Sequence, residues 1–482
     1  MLDINLIRQE PEKVRKALLK RMDSVDFIEL FELDKQKRAL ILETEKLKAR
    51  KNEVSCNIPK LKKEGKDISE LLKEMKQVGD CIKEIDAKLN ETSIKLNEIL
   101  IALPNMPAED VVLGDKENNE VIRSWGCKPE FIFKPKDHMN IAKKLGLIDY
   151  ERGVKIGGTG FWLYKGDGAL LEWALLNYFI EEHTKDGYEF ILPPHLLINQ
   201  CGYTAGQFPK FADDVFLLEG EHGRKSTHFL LPTSETALIN YHRDEILKET
   251  DLPRKYFSYT PCYRKEAGSY RASERGMIRG HQFNKVEMFQ FTKPEDSDSA
   301  LEELIGKAEK LVKGLGLHYQ VSKLAARDCS ASMAKTYDIE IWIPSMNEYK
   351  EVSSASSARD YQSRRGNIRF KRQETGKNEY LHTLNASGLA TSRLYPAILE
   401  QFQQQDSSVK VPVPLRKWIG KDYLEFRIFL AFFLLGKIFS ESAISVVEYC
   451  SVVFYSFNIP SHVSTFLSAS FSLNQCVVTD FS

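Results

Sequence analysis

The chain has 482 residues, with 68 Lys plus Arg against 68 Asp plus Glu, 42% hydrophobic and 28% charged residues, and a formal net charge of zero. At roughly 100–200 residues per domain, that length gives two to four domains and enough buried surface for a sizeable core. Neutrality excludes a histone-like binder that is basic throughout, though not a local basic patch.

Eight cysteines (Cys56, Cys81, Cys127, Cys201, Cys262, Cys329, Cys450, Cys476) are scattered, with no CxxC and no Cys/His cluster at zinc spacing. Neither a disulfide framework nor structural zinc is expected, and a reducing compartment fits. The opening MLDINLIRQEPEKV mixes acids with bases and has no apolar run, so no signal or transit peptide is read and a cytoplasmic protein is expected.

Two helices come first. Leu71, Met75, Val78, Ile82, Ile85, Leu89, Thr92, Leu96, Ile99 and Leu103 follow 4-3 heptad spacing with Thr92 the one polar member, which predicts a coiled-coil seam. Upstream, Leu33, Leu40, Leu47 and Val54 repeat every seven, with Lys37, Thr44 and Lys51 at the intervening positions. Between them NIPKLKKEGKD carries Pro59 and Gly65 as breakers, and Asp67 with Glu70 three residues later is a capping-box restart. The expectation is helix, tight tip, helix. At 1.5 Å per residue the second helix spans on the order of 50 Å, too long for a domain core, so the pair should project as an arm. Near its tip, residues 46–63 hold Lys46, Lys48, Arg50, Lys51, Lys60, Lys62 and Lys63 against Glu53 alone. A lysine-rich helix is usually a solvated face. Positive charge gathered at a projecting tip favours a polyanion, with salt-dependent phosphate contacts.

LPNMPAEDVVLGD (103–115) ends the heptads and places a linker at 104–112, between an arm of 1–103 and a second domain of 113–421. In that domain helical stretches (170–184, 299–315) accompany short β-rich runs (188–192, 227–231, 256–259, 282–291, 337–343, 348–353). Hairpin-like spacings outnumber βαβ alternation, so the fold class is α+β with a mostly antiparallel sheet flanked by helices. Neither GxxxxGK[ST] nor GxGxxG after a strand is present; a nucleotide bound here would meet side chains on a sheet.

The segment 258–291, SYTPCYRKEAGSYRASERGMIRGHQFNKVEMFQF, gathers Arg264, Glu266, Arg271, Arg275, Arg279, Phe283 and Glu287. An Arg and a Glu two apart on a strand share a face and could be a surface ion pair worth ~0–1 kcal/mol. So many arginines together point instead to a planar, anionic ligand. The segment resembles motif 2 of the class II aminoacyl-tRNA synthetases, a strand–loop–strand hairpin. GYEFILPPHLL (187–197) resembles motif 1, whose Pro193-Pro194 and preceding helix imply a homodimer interface, and GLATSRLYPAILE (388–400) resembles motif 3. Four further segments narrow the likeness to the seryl-tRNA synthetase family with an N-terminal coiled-coil arm: PTSE (232–235), HQFNKVEMF (281–289), EVSS (351–354) and LNASG (384–388).

That resemblance implies a ligase for protein biosynthesis that makes seryl-adenylate from L-serine and ATP, then transfers serine to the 3′ end of serine tRNA, with selenocysteine tRNA a further candidate acceptor. It implies ATP contacts from Arg264 (α-phosphate), Lys265, Glu266 (adenine edge), Arg279 (phosphates), Phe283 (adenine stacking), Glu351, Val352, Ser353, Ser354 and Arg393, which would cap the other adenine face. Glu351 and Ser354 would hold Mg²⁺. Serine would meet Thr233, Ser234, Glu235, Glu287 and Ser387, and tRNA the basic tip residues Lys46, Arg50, Lys51, Lys60, Lys62 and Lys63. A bidentate arginine meets the charge on a transferring phosphoryl group, so Arg264 and Arg393 are the catalytic candidates. No protein nucleophile is needed, and His281 and His382 are read as structural. Four departures from the family pattern are Ala386, Ser234, the RASER stretch (271–275) and Pro396.

The family's chains end soon after VPVPLRKWIGKDYLE, whereas residues 422–482 form an apolar tail here. Arg427, Lys437, Glu441 and Glu448 interrupt the apolar stretch over 427–448, and no stable membrane partner is expected. The tail is either an appendage packed on the catalytic domain or a non-homologous end from a frameshift or read-through. Two rivals to the synthetase reading are a paralogue that loads a carrier protein and a catalytically dead RNA-binding protein. The long arm argues against the first, and intact Arg264, Glu266, Glu351 and Arg393 against the second.

Overall fold

The computed structural model describes residues 1–220, 226–266 and 276–426. Arg271 and Arg275 of the arginine cluster and the tail from Arg427 onward lie outside the described residues. Within them a compact unit runs from Met1 to Glu425.

Two short helices, α1 (Ile4–Gln9) and α2 (Pro11–Leu18), precede the arm, which is α3 (Ile28–Lys63) and α4 (Ser69–Ala102). Ile7, Val14 and Leu18 pack with Leu30, Leu96 and Leu100, so the arm's base is a small helical core of its own. Further out the heptads do as the spacing predicts: Ile82, Ile85 and Leu96 are buried, and so is Thr92, whose hydroxyl satisfies itself by donating to the Lys88 carbonyl at 2.8 Å. Pro59 does not end the first helix. It lies inside α3, which continues to Lys63, and the turn is confined to residues 64–68. A proline costs a helix one hydrogen bond and a clash with the preceding turn, a penalty the pairing of α3 with α4 overrides. The helix restarts with Ile68 rather than Asp67 at the N-cap, so the expected capping box with Glu70 is not made; Asp67 instead accepts from the Ser69 amide and hydroxyl at 2.9 and 2.6 Å.

The linker is stitched to the second domain. Asn105 donates from its amide to the Ala331 carbonyl and from its side chain to the carbonyls of Ser332 and Ala358, at 2.7, 2.9 and 2.8 Å.

Beyond it the elements that matter, in chain order, are β1 (Glu120–Trp125), α5 (Asp167–Lys185), β2 (Glu189–Phe190), α6 (Ser234–Leu238), β3 (Arg254–Tyr263), β4 (Gln282–Thr292), α7 (Ser297–Leu315), β5 (Tyr319–Lys323), β6 (Lys335–Ile343), β7 (Glu348–Arg359), β8 (His382–Ala390), α8 (Thr391–Gln401), β9 (Val409–Lys410) and β10 (Tyr423–Leu424). Eight strands form one sheet in the order β1-β5-β6-β7-β8-β4-β3-β2. Every pairing in it is antiparallel except β2 with β3.

Alternation divides the sheet. One face, with Phe257, Val286, Met288, Ile339, Ile341, Ala355 and Ala386, packs under α5, α7 and α8 as the main core. Ala386 is therefore a core residue, turned away from the cavity. The other face carries Phe283, Lys285 and Glu287 on β4, with Ser387 opposite Glu287, Asn385 opposite Phe289 and Ser356 opposite Asn385. These polar side chains line the main cavity. Pro396 is accommodated within α8, where its missing amide leaves out one bond of the helix.

Candidate active site

The cavity on the polar face has a volume of about 490 Å³ and is lined by Thr233, Glu235, Arg264, Glu266, Arg279, Lys285, Glu287, Glu351, Ser354, Asn385 and Ser387, among others. It continues into a compartment shared by Arg264, Glu266, Arg279, Phe283, Glu351, Val352, Ser387 and Arg393. Residues scattered over some 160 positions of sequence thus meet.

At the compartment end, β3 stops at Tyr263, so Arg264 and Glu266 are not on the strand as expected. They follow its end instead, and Glu266 adopts φ = 53°, which releases it from strand alternation. The Arg264 guanidinium lies 5.4 Å from the Phe283 ring centroid and donates from Nε to the Pro232 carbonyl at 3.3 Å. Arg279 pairs with Glu266 at 2.9 Å. Arg393, in the first turn of α8, donates from Nη1 to the carbonyl and carboxylate of Glu351 at 2.9 and 3.2 Å and from Nε to the Ile278 carbonyl at 3.3 Å. The three arginines are therefore oriented by protein acceptors, in a geometry that a planar anion could share.

Glu351 reaches the cavity through a bulge. Ile339 pairs with Ser353 but Glu340 with Glu351, leaving Val352 as an extra residue on β7. Strict alternation would put Glu351 and Ser354 on opposite faces, and the bulge brings both to the same one.

At the other end of the cavity, Glu287 is fully buried and forms a short ion pair with Lys285. Its other oxygen accepts from Asn385 Nδ2 at 3.1 Å, while Lys285 also donates to Thr233 Oγ1 at 2.7 Å. Glu235 accepts from Gln362 Nε2 at 2.7 Å. Burial, reinforced by the nearby Glu287 carboxylate, pushes the Glu235 carboxyl up to about 7.

Three expected contacts do not converge here. Ser234 is buried with its hydroxyl 2.7 Å from Thr260 Oγ1 on β3 and does not line the cavity. Lys265 turns outward with Nζ 6.0 Å from the Phe216 ring. Ser353 donates to the Ser387 carbonyl at 2.6 Å, fixing β7 to β8. Lys285, Asn385 and Gln362 were not singled out from sequence. Lys285 was legible, because it lies between Phe283 and Glu287 on one strand face; Asn385 and Gln362 gave no local signal. His281 holds the hairpin closed, with Nδ1 2.9 Å from the Arg264 carbonyl.

At the arm's tip Lys46, Arg50, Lys51, Lys60, Lys62 and Lys63 are all exposed. The second helix answers some of this charge: Arg50 reaches Glu74 at 3.4 Å and Lys48 reaches Asp86 at 3.6 Å. Among the described residues no group of three or more His, Cys, Asp or Glu could hold a metal, and no helix is long and apolar enough to cross a membrane.

With this geometry in hand, comparison with known proteins is specific. Residues 1–107 match the model of the seryl-tRNA synthetase N-terminal domain, and 216–402 that of the tRNA synthetase class II core domain (G, H, P, S and T). Serine–tRNA ligase 2 of Clostridium acetobutylicum is 66% identical over 425 residues, 88% of this chain and 100% of the relative. The chain belongs to the seryl-tRNA synthetase family. The seryl-tRNA synthetase serine–tRNA ligase of Listeria monocytogenes is 46% identical over 87% of this chain and 98% of its own length. Among solved structures, seryl-tRNA synthetase from Pyrococcus horikoshii complexed with ATP superposes with a TM-score of 0.80 at 33% identity, covering 88% of this chain and 99% of that one. The cytoplasmic serine–tRNA ligase of Naegleria fowleri in complex with AMP gives 0.77 at 29% identity, covering 89% and 99%. This synthetase therefore shares with its relatives the arm and the catalytic sheet.

Proposed function

We propose that the protein activates L-serine with ATP and transfers it to the 3′ end of serine tRNA. One observation carries this reading: a cavity that puts the carboxylates of Glu235 and Glu287 at one end and Arg264, Arg279, Phe283 and Arg393 at the other. The first end suits a small molecule with an ammonium group and a hydroxyl, met by Thr233 and Ser387. The second suits a purine triphosphate, with Glu266 at the adenine edge and the arginines on the phosphates.

The serine carboxylate attacks the α-phosphate, the bond to pyrophosphate breaks, and Arg264 stabilises the charge spread over the phosphoryl oxygens. The terminal ribose hydroxyl of tRNA then attacks the mixed anhydride and AMP leaves. Most of the acceleration comes from positioning and charge stabilisation, and no side chain becomes covalently attached. Glu351 and Ser354 offer hard oxygen donors beside the phosphate-facing arginines, a set that suits Mg²⁺ shared with phosphates better than an all-protein cage. When bound, Mg²⁺ neutralises charge on the polyphosphate.

The proposed architecture is an arm of 1–103 whose basic tip contacts tRNA, a linker at 104–112 and a catalytic domain from 113. We assign dimerisation to the motif 1 region, where Leu170, Trp173, Phe190, Leu192 and Leu196 are exposed and apolar. The protein works in the cytoplasm. The test is serine-dependent ATP–pyrophosphate exchange followed by charging of serine tRNA, with selenocysteine tRNA as a second acceptor. No exchange would sink the enzyme reading, and exchange without charging would favour the carrier-loading paralogue.

A further inference from the structure

Glu172 has no role in the scheme above, yet it is a carboxyl group only 3% exposed, on the buried side of α5. Its Oε1 accepts from Thr391 Oγ1 at 2.6 Å and from Asn284 Nδ2 at 2.7 Å. The Thr391 hydroxyl also lies 3.2 Å from the Asn284 carbonyl, and Tyr259 donates to Asn284 Oδ1 at 3.2 Å. The Tyr164 hydroxyl faces the same carboxyl. Three elements distant in sequence, α5, β4 and the first turn of α8, are thus joined through one oxygen.

The two anchored residues are placed where position matters. Asn284 lies on β4 between Phe283 and Lys285, with its own side chain on the opposite face. Thr391 opens α8, two residues before Arg393. A shift of β4 against the start of α8 would therefore change the separation of Phe283 and Arg393. Burial raises the Glu172 carboxyl to about 7 despite its hydrogen bonds, so the group is a poor choice for filling space. A well-packed apolar residue would cost less if filling were its task.

We propose that Glu172 is a positioning residue for ATP: by accepting from Asn284 and Thr391 together, it fixes the gap between Phe283 and Arg393 into which adenine fits. This rests on the reading of those two residues as the faces of the adenine site.

The experiment is serine-dependent ATP–pyrophosphate exchange with the full chain. Glu172→Ala raises KM for ATP by about tenfold or more, since displacements near 1 Å cost rate and affinity on that scale, and leaves KM for serine within about twofold. Glu172→Gln keeps the accepting oxygen and restores KM for ATP to within about twofold of the parent. Thr391→Val, nearly isosteric, moves KM for ATP in the same direction, and adding it to Glu172→Ala changes nothing further, as expected for groups acting through one contact. A parallel rise in both KM values, or a smaller active fraction with KM for ATP unchanged, would show a merely structural role and overturn the proposal. If Glu172→Ala does not fold, Thr391→Val decides: an unchanged KM for ATP overturns it. Phe283→Ala and Arg393→Ala separate the two layers of argument. Unchanged KM for ATP in both sinks the adenine reading, whereas raised values in both with an unaffected Glu172→Ala sink only the positioning role.

Discussion

Among the described residues Arg264 is held by the Pro232 carbonyl and the face of Phe283, both weaker partners for a guanidinium than a phosphate. Arg264→Ala is expected to lower exchange by roughly a hundred- to a thousandfold, the scale seen when one preorganised charge-stabilising donor is removed. Glu235 supports a pH prediction. Lys285 forms an ion pair with Glu287, so under the proposed function the net negative charge facing the serine ammonium would come from ionised Glu235. With that carboxyl titrating at about 7, kcat/KM for serine should rise between pH 6 and pH 8, changing about tenfold per unit well below 7, and Glu235→Gln should flatten the profile. The stability effect has the opposite sign. The folded state keeps a proton that the unfolded state gives up in the ordinary carboxylate range, so stability falls as pH rises towards about 7 and is level above it. A profile unchanged by Glu235→Gln would remove this residue from serine recognition. The residues that the cavity brings together were legible because they sit in short motifs. Ser234 was misplaced because only the packing of α6 on β3 shows that its hydroxyl belongs to Thr260.

Elements read best where a period is long. The heptads of α4 predicted its inward stripe, with Ile82, Ile85, Thr92 and Leu96 buried as spaced and Leu100 buried off the seam, and hairpin spacing predicted the antiparallel sheet. Breakers read worse: Pro59 looked like the end of a helix that runs on to Lys63, since pairing along the whole arm outweighs one local penalty. The bulge at Val352 was invisible for the same kind of reason, as it depends on how β6 pairs with β7. The arm itself gives a test. Leu30, Leu96 and Leu100 belong to the core at its base, so an excision must stop short of them. Removing residues 45–88 and closing the gap with a short glycine turn takes away every tip lysine and keeps that base. Exchange should stay within about twofold and charging of serine tRNA should be lost, because phosphate contacts carry most of the affinity for the nucleic acid. Normal charging by the shortened protein would refute the role given to the tip.

For the whole molecule the open question is where the enzyme ends. The sequence placed that end at Lys421, but β10 lies beyond it, pairing Tyr423 and Leu424 with Lys410 and Val409. Leu424 is 1% exposed within the main core, and Asp422 holds Arg416 at 2.6 Å. Cutting after Lys421 would remove that leucine from a packed site, a loss of about 2–5 kcal/mol on the scale of large-to-small core changes. Cutting after Glu425 removes no residue of the compact unit, and a 66% identical relative aligns through its full length with only 425 residues of this chain. The chain truncated after Glu425 should therefore melt within about 2 °C of the full-length protein and keep both exchange and charging. The chain truncated after Lys421 should melt several degrees lower, since at ~2 cal/mol/K of unfolding entropy per residue about 2–5 kcal/mol corresponds to roughly 2–6 °C for a chain of this length. Thermal melts of both, measured with exchange at 25 °C, separate the cases. Equal melting temperatures would mean that β10 contributes nothing, and lost activity in the longer truncate would make residues 426–482 part of the working enzyme.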